Sequence, residues 1–129
     1  MEEILVCENL TMTFNDGEYI VHALKNVSFS LHKNEVLGII GESGSGKSTL
    51  ARLIAGYWDV QDGTIRIGGH DLKDIPLTQL YDLVSFVAQD TYLFDDTIRE
   101  NIRLGKTSAT DAEVEHAAER SGCADFIRR

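Results

Sequence analysis

Residues 4–14, ILVCENLTMTF, are rich in β-branched and apolar positions with partial alternation, which predicts one strand. NDGEY, from residue 15, predicts a turn. In ALKNVSFSL, residues 23–31, Val27, Phe29 and Leu31 alternate with Asn26, Ser28 and Ser30, the pattern of a half-buried strand. The run EVLGII, 35–40, has almost no alternation, as expected of a strand covered on both faces in a parallel sheet, and VSFVA, 84–88, predicts a second strand of that kind. Between them the periodicity turns helical from about Lys47 to Ala55. Leu50, Leu53 and Ile54 share one face there, and Gly56 is placed to end the helix. DGTIRIGGHDL predicts a hairpin turning at Gly68-Gly69, and a short helix follows Pro76. Farther on, Thr97 with Glu100 and Thr110 with Glu113 form two S/T-x-x-E boxes. They start helices over about 97–103 and 110–121, the second ended by Gly122.

Composition narrows what such a chain does. At 129 residues, 43% hydrophobic and 26% charged, it has the size and balance of one globular domain. A net charge of −9 argues against a nucleic-acid module, which needs a basic surface. No apolar stretch is long enough for a bilayer, and the start MEEILV is acidic where a signal peptide is basic. Cys7 and Cys123 stand far apart without metal spacing and read as reduced thiols. His22, His32, His70 and His116 are scattered without ligand spacing.

The chemistry concentrates in GESGSGKST, residues 41–49, which fits G-x-x-x-x-G-K-[ST] at Gly41, Gly46, Lys47 and Ser48. Glycines let the backbone curl so that successive N–H groups point at phosphate oxygens, and the following helix adds its positive dipole end. Gly41, Glu42, Ser43, Gly44, Ser45, Gly46, Lys47, Ser48 and Thr49 are therefore the expected phosphate-binding residues. Lys47 would reach the β- and γ-phosphates, and the Ser48 hydroxyl would ligate Mg²⁺. The apolar run before the loop and the helical pattern after it are the context this motif requires. The motif by itself serves kinases, GTPases, helicases and transport ATPases alike. A small nucleotide kinase would add an arginine-rich lid, and none is visible downstream.

With these segments placed, the chain resembles the ATP-binding domain of ABC transporters from about Cys7 onward. GESGSGKSTL is similar to that family's Walker A, DGTIRIGGHDL to the hairpin after its first helix, and VSFVAQDTYLFDDTIRENI to its Q-loop region in the form common in exporters. The resemblance implies an α/β fold: a P-loop NTPase core with an antiparallel β-subdomain and the start of an α-helical subdomain, truncated. It divides the chain into antiparallel strands (1–34), P-loop core (35–89) and Q-loop exit with the start of the helical subdomain (90–129). It further implies ATP and Mg²⁺ as cofactors, with Phe14 stacking on adenine in competition with plain core packing. Gln89 would reach Mg²⁺ or the attacking water, so Lys47 and Gln89 would be the catalytic residues.

The implied partners are a transmembrane transporter domain resting on residues 90–97 and a second ATP-binding domain in a head-to-tail dimer. The implied place is the cytoplasmic face of a membrane. Tyr92, Leu93 and Phe94 read either as that interface or as anchors of the loop to the core. Asn34 stands where the family usually has glycine, and asparagine suits the left-handed backbone such a turn needs. No LSGGQ-like signature, no Walker B strand with its Asp-Glu pair and no switch histidine occurs. The expectation is half of a complete domain, which binds MgATP with little or no hydrolysis of its own. The alternative is a stand-alone nucleotide-binding or interaction fragment.

Overall fold

Strand β1 (Glu3–Asn15) pairs antiparallel with β2 (Ile20–His32), and the register shifts four times along the pairing, twice at a bulge marked by a positive-φ asparagine. On β1 the inward positions are Leu5 and Cys7, then Leu10 and Met12, so their parity changes between Cys7 and Leu10. Asn9 makes the change with a positive φ of 53°, and the register shifts at the same place. On β2 the inward positions change from Leu24 to Val27 and Phe29, and Asn26 carries φ 50°. Each bulge is tied to the other strand. The Asn9 N–H donates to Ser28 Oγ (2.8 Å) and the Asn26 N–H to Thr11 Oγ1 (3.1 Å). Two long strands thus keep one apolar face despite a break in period 2. The turn between them is held by Asp16, whose carboxylate accepts from the N–H groups of Glu18 and Tyr19.

The computed structural model describes residues 2–88 and 92–127, in two units divided after Val87. In the first unit, α1 (Lys47–Ile54) lays Leu50 and Leu53 on the sheet, and Gly56 follows with φ 73°. Next comes the hairpin of β3 (Asp62–Ile67) and β4 (His70–Asp71), turned by Gly68 and Gly69, both with positive φ. β3 pairs with β1, which gives one antiparallel sheet in the order β2-β1-β3-β4. The core lies between its inner face and α1, with Cys7, Leu10, Met12, Leu24, Leu50, Leu53 and Ile65 buried. Burial raises the Cys7 thiol pKa to about 11, whereas Cys123 is exposed; both are free. A short helix, α2 (Leu77–Leu83), follows Pro76 as expected and buries Leu80.

The two parallel-type strands expected over 35–40 and 84–88 are not formed. Both segments are irregular, and Val36, Ile40 and Val87 are 95%, 97% and 89% exposed. A strand of this kind is stable only with ladder partners beside it and apolar cover on both faces, and no described residue supplies them here. In the second run Phe86 packs edge-on against Tyr57 at 5.7 Å, and the Val84 N–H donates to the Leu80 carbonyl at 2.8 Å. Asn34 does adopt the left-handed backbone (φ 65°). Glu35 closes its turn by accepting from the backbone N–H of His32 at 2.9 Å and pairing with its ring at 3.0 Å.

The second unit holds α3 (Ile98–Arg103), α4 (Asp111–Arg120) and α5 (Ala124–Ile127). Both anticipated caps are present: Thr97 accepts from the Glu100 N–H, and Thr110 forms a full reciprocal box with Glu113. Gly122 follows α4 with φ 75°. Arg99 bridges α3 to Glu115 of α4 at 3.1 Å, and Arg103 pairs with Asp111.

Glu113 accepts from Lys106 Nζ (2.6 Å) as well as from Thr110. The lysine bond first, then the cap bonds, lower its pKa from 4.5 to about 2. The carboxylate therefore stabilises the folded unit fully above about pH 4.5, and that contribution disappears as pH falls through 2. Followed by far-UV circular dichroism, Glu113→Gln is expected to flatten the acid titration of helicity between those two values. An unchanged titration would refute the assignment.

Candidate functional site

The loop at 41–49 sits between the irregular run 35–40 and the first turn of α1. Its curl rests on two glycines with positive φ, Gly44 (80°) and Gly46 (89°). Gly46 is the N-cap of α1 and offers no side-chain cap, so the first N–H groups of the helix have no intrahelical acceptor and no cap oxygen. A Cβ at Gly46 would lie 2.2 Å from the Ala23 carbonyl oxygen and 3.1 Å from Leu24 Cδ2. That carbonyl is presented because the β1–β2 register steps from Met12–Leu24 to Thr13–His22, leaving Ala23 over. The loop is thus seated directly on the strand pair, with backbone against backbone.

Lys47 turns its ammonium back into the curl. Its Nζ donates to the carbonyl oxygens of Gly41 and Glu42 (2.6 Å to the latter) and to Ser45 Oγ (3.1 Å). The loop is closed further by the Ser45 N–H on the Glu42 carbonyl (3.2 Å). At Gly41 a Cβ would meet Ser45 Oγ at 2.4 Å. Ser43 is exposed, Ser48 stands exposed in the first turn of α1, and Thr49 is half-buried beside it. The loop brings together one cation, the uncapped N–H groups that start α1 and the exposed hydroxyls of Ser43 and Ser48. Such a set of donors suits an anion with several oxygens. Among the described residues no cluster of histidine, cysteine, aspartate or glutamate suits a metal by itself. A separate, mostly aliphatic groove of about 710 Å³ lies between the sheet and α2, and no residue of 41–49 lines it.

Phe14, on the same face of β1 as Met12, is 38% exposed: neither core nor free surface. Its ring meets Trp58 edge-to-face at 5.4 Å, and the Arg52 guanidinium of α1 lies 5.0 Å over the Trp58 ring. Gln61 reaches the adjacent backbone. Its Oε1 accepts from the Thr13 N–H (2.7 Å), and its Nε2 donates to the Thr13 carbonyl (2.9 Å). Arg52, Trp58 and Gln61 were not singled out from the sequence. The motif points only to phosphate, and an aromatic directly after a helix reads as core.

Gln89, with Asp90 and Thr91, lies outside the described residues. Of the segment 90–97, Tyr92, Leu93 and Phe94 are exposed, with Tyr92 and Phe94 edge-to-face at 5.2 Å. Asn101 holds the backbone below them, accepting from the Phe94 N–H (2.8 Å) and donating to the carbonyls of Phe94 and Thr97. The segment is anchored by an amide, with its apolar side chains left outside.

The chain is similar to known proteins along most of its length. A family model described as ABC transporter matches residues 24–129. A Staphylococcus aureus protein, named as a candidate multidrug export ATP-binding/permease protein, is 42% identical over 120 residues. That match covers 93% of this chain and 20% of the relative. ATP-binding cassette sub-family B member 6 of Xenopus tropicalis is 44% identical over 111 residues, covering 86% of this chain and 13% of the relative. The solved structure of a bacterial Atm1-family ABC exporter with ATP bound superposes with a TM-score of 0.87 at 35% identity. It covers 99% of this chain and 22% of that one. The chain thus spans about a fifth or less of the curated relatives it matches.

Proposed function

Because this chain belongs to the ABC transporter family, we propose that it binds MgATP through residues 41–49 and Phe14 and contributes that grip to an ATP-driven exporter. The observation that carries this reading is the Lys47 ammonium drawn inside a glycine-curled loop at an uncapped helix start. The carbonyls of Gly41 and Glu42 and the Ser45 hydroxyl now accept from the cation, and β- and γ-phosphate oxygens would take their place. Ser48 is the hydroxyl for Mg²⁺, which when bound draws negative charge from the phosphate oxygens. Phe14 supplies an aromatic face for adenine. Gln89 is assigned to the metal or to the water that attacks, which makes Lys47 and Gln89 the candidate catalytic pair. The part proposed for residues 41–49 is to bind and orient phosphate.

Among the described residues no helix is long and apolar enough to cross a membrane. The proposed transport role therefore runs through a transmembrane domain docked on 90–97, where the exposed Tyr92, Leu93 and Phe94 lie, and through a second ATP-binding domain facing the loop. The proposed location is the cytoplasmic side of the membrane.

MgATP at a hundred times its dissociation constant is expected to add about 2.7 kcal/mol of stability. Lys47→Ala removes a charge-assisted contact and is expected to weaken MgATP binding about tenfold or more, which reduces that gain at the same concentration to about 1.4 kcal/mol or less. Thermal or urea unfolding with and without MgATP reads both. Equal gains in parent and variant, or none in the parent, would overturn the assignment.

A further inference from the structure

We propose that Gln61 and Trp58 are positioning residues that hold Phe14 as the base platform of the nucleotide site, an inference that rests on the MgATP reading above. β3 supports β1 only as far as the pair Thr11–Asp62, and Phe14 lies three residues beyond that pair. From there β1 has β2 on one side, and among the described residues no strand lies on its other side. An aromatic ring on such a strand end follows every movement of its backbone.

Gln61 fills the gap. Its side-chain amide donates and accepts as a strand's peptide group does, engaging both the N–H and the carbonyl of Thr13 at 2.7 and 2.9 Å. The Thr13 carbonyl belongs to the peptide that leads into Phe14, so this bond holds the plane from which the Phe14 ring projects. His22 adds a third tie from β2, its Nδ1 lying 3.0 Å from Thr13 Oγ1. Trp58 then sets the ring itself. It meets Phe14 edge-to-face at 5.4 Å, so contact falls on an edge of one ring, and Phe14 remains 38% exposed. Arg52, stacked over Trp58, belongs to the helix that begins at the phosphate loop. The chain of contacts Phe14–Trp58–Arg52 therefore ties the platform to the helix that carries Lys47. Both positioning residues come from the 57–61 connection between α1 and β3, so one short segment sets the distance from base platform to phosphate loop.

The test compares MgATP with magnesium tripolyphosphate, which carries the phosphates without a base, on the protein at its natural length by titration calorimetry. Gln61→Ala is expected to weaken MgATP binding about three- to tenfold, with tripolyphosphate binding changed less than twofold. In a Phe14→Ala background the same substitution is expected to add no further loss. Trp58→Phe, which keeps an aromatic edge toward Phe14, is expected to retain MgATP affinity, while Trp58→Ala loses the base-dependent part. Equal loss for both ligands, or losses at Gln61 and Phe14 that simply add, would overturn the positioning role. Should Gln61→Ala fail to fold, the Trp58 pair decides: equal behaviour of Trp58→Phe and Trp58→Ala rejects the proposal. If Phe14→Ala itself leaves the difference between the two ligands unchanged, the base-platform reading fails and this inference with it. That result is distinct from one in which only Gln61 and Trp58 are silent.

Discussion

Gly46→Ala is expected to destabilise the first unit by about 2–5 kcal/mol and to abolish ordered nucleotide binding. Two separate costs meet at this residue. The φ of 89° lies in the left-handed region, which costs an alanine about 1–2 kcal/mol. The new Cβ would also stand 2.2 Å from the Ala23 carbonyl oxygen, a backbone atom that cannot rotate aside. Either β2 or the start of α1 must move, a strain of about 1–3 kcal/mol by analogy with overpacked cores. Gly44→Ala separates the two costs. Its φ is 80°, but nothing lies within 4 Å of its Cβ position, so only the conformational part of about 1–2 kcal/mol is expected. Urea unfolding of both variants checks this. A Gly46 variant no less stable than the Gly44 variant would show that the seat on Ala23 does not constrain the loop.

Leu53→Ala is expected to cost about 2–5 kcal/mol, in the range of buried leucine truncations that leave a cavity. Leu53 is fully buried in the core that joins α1 to Leu10 and Ile65 of the sheet. The urea midpoint should fall with little change in slope, because the surface exposed on unfolding is nearly the same. Since α1 carries Lys47 and Ser48 in its first turn, loosening its seat should also weaken MgATP binding. A stability loss below 1 kcal/mol would mean that α1 repacks. Unchanged affinity would mean that the loop is held by Gly46 on Ala23 alone.

These two residues differ in how they could be found. Leu53 is legible from spacing: with Leu50 it repeats the helical period and lands on one face. Gly46 is legible as a motif glycine, yet its close approach to Ala23 depends on a bulge that no local pattern encodes. The caps at Thr97 and Thr110 were legible because a cap is a contact within four residues. Phe14 was legible as an aromatic at a strand end. Its partners were not, because Gln61 meets Thr13 across 48 positions of sequence and Trp58 reads as ordinary core. EVLGII and VSFVA carry the composition of buried strands, and composition states a preference for cover without supplying it.

By itself the sequence determined what is decided within a turn or two of the chain. That covers the helix starts and stops, the Gly68-Gly69 hairpin, the apolar face of α1 and the glycine-lysine loop on which the proposed phosphate binding rests. Only the tertiary structure decided what depends on partners distant in sequence: the β2-β1-β3-β4 order, the paired bulges at Asn9 and Asn26, and the seating of Gly46 on Ala23. It also placed the 57–61 segment behind Phe14 and left 35–40 without a ladder. The reason is the range of the forces. Backbone propensity and capping act along the chain, whereas ladder hydrogen bonds and burial need a second segment whose position the local sequence does not state.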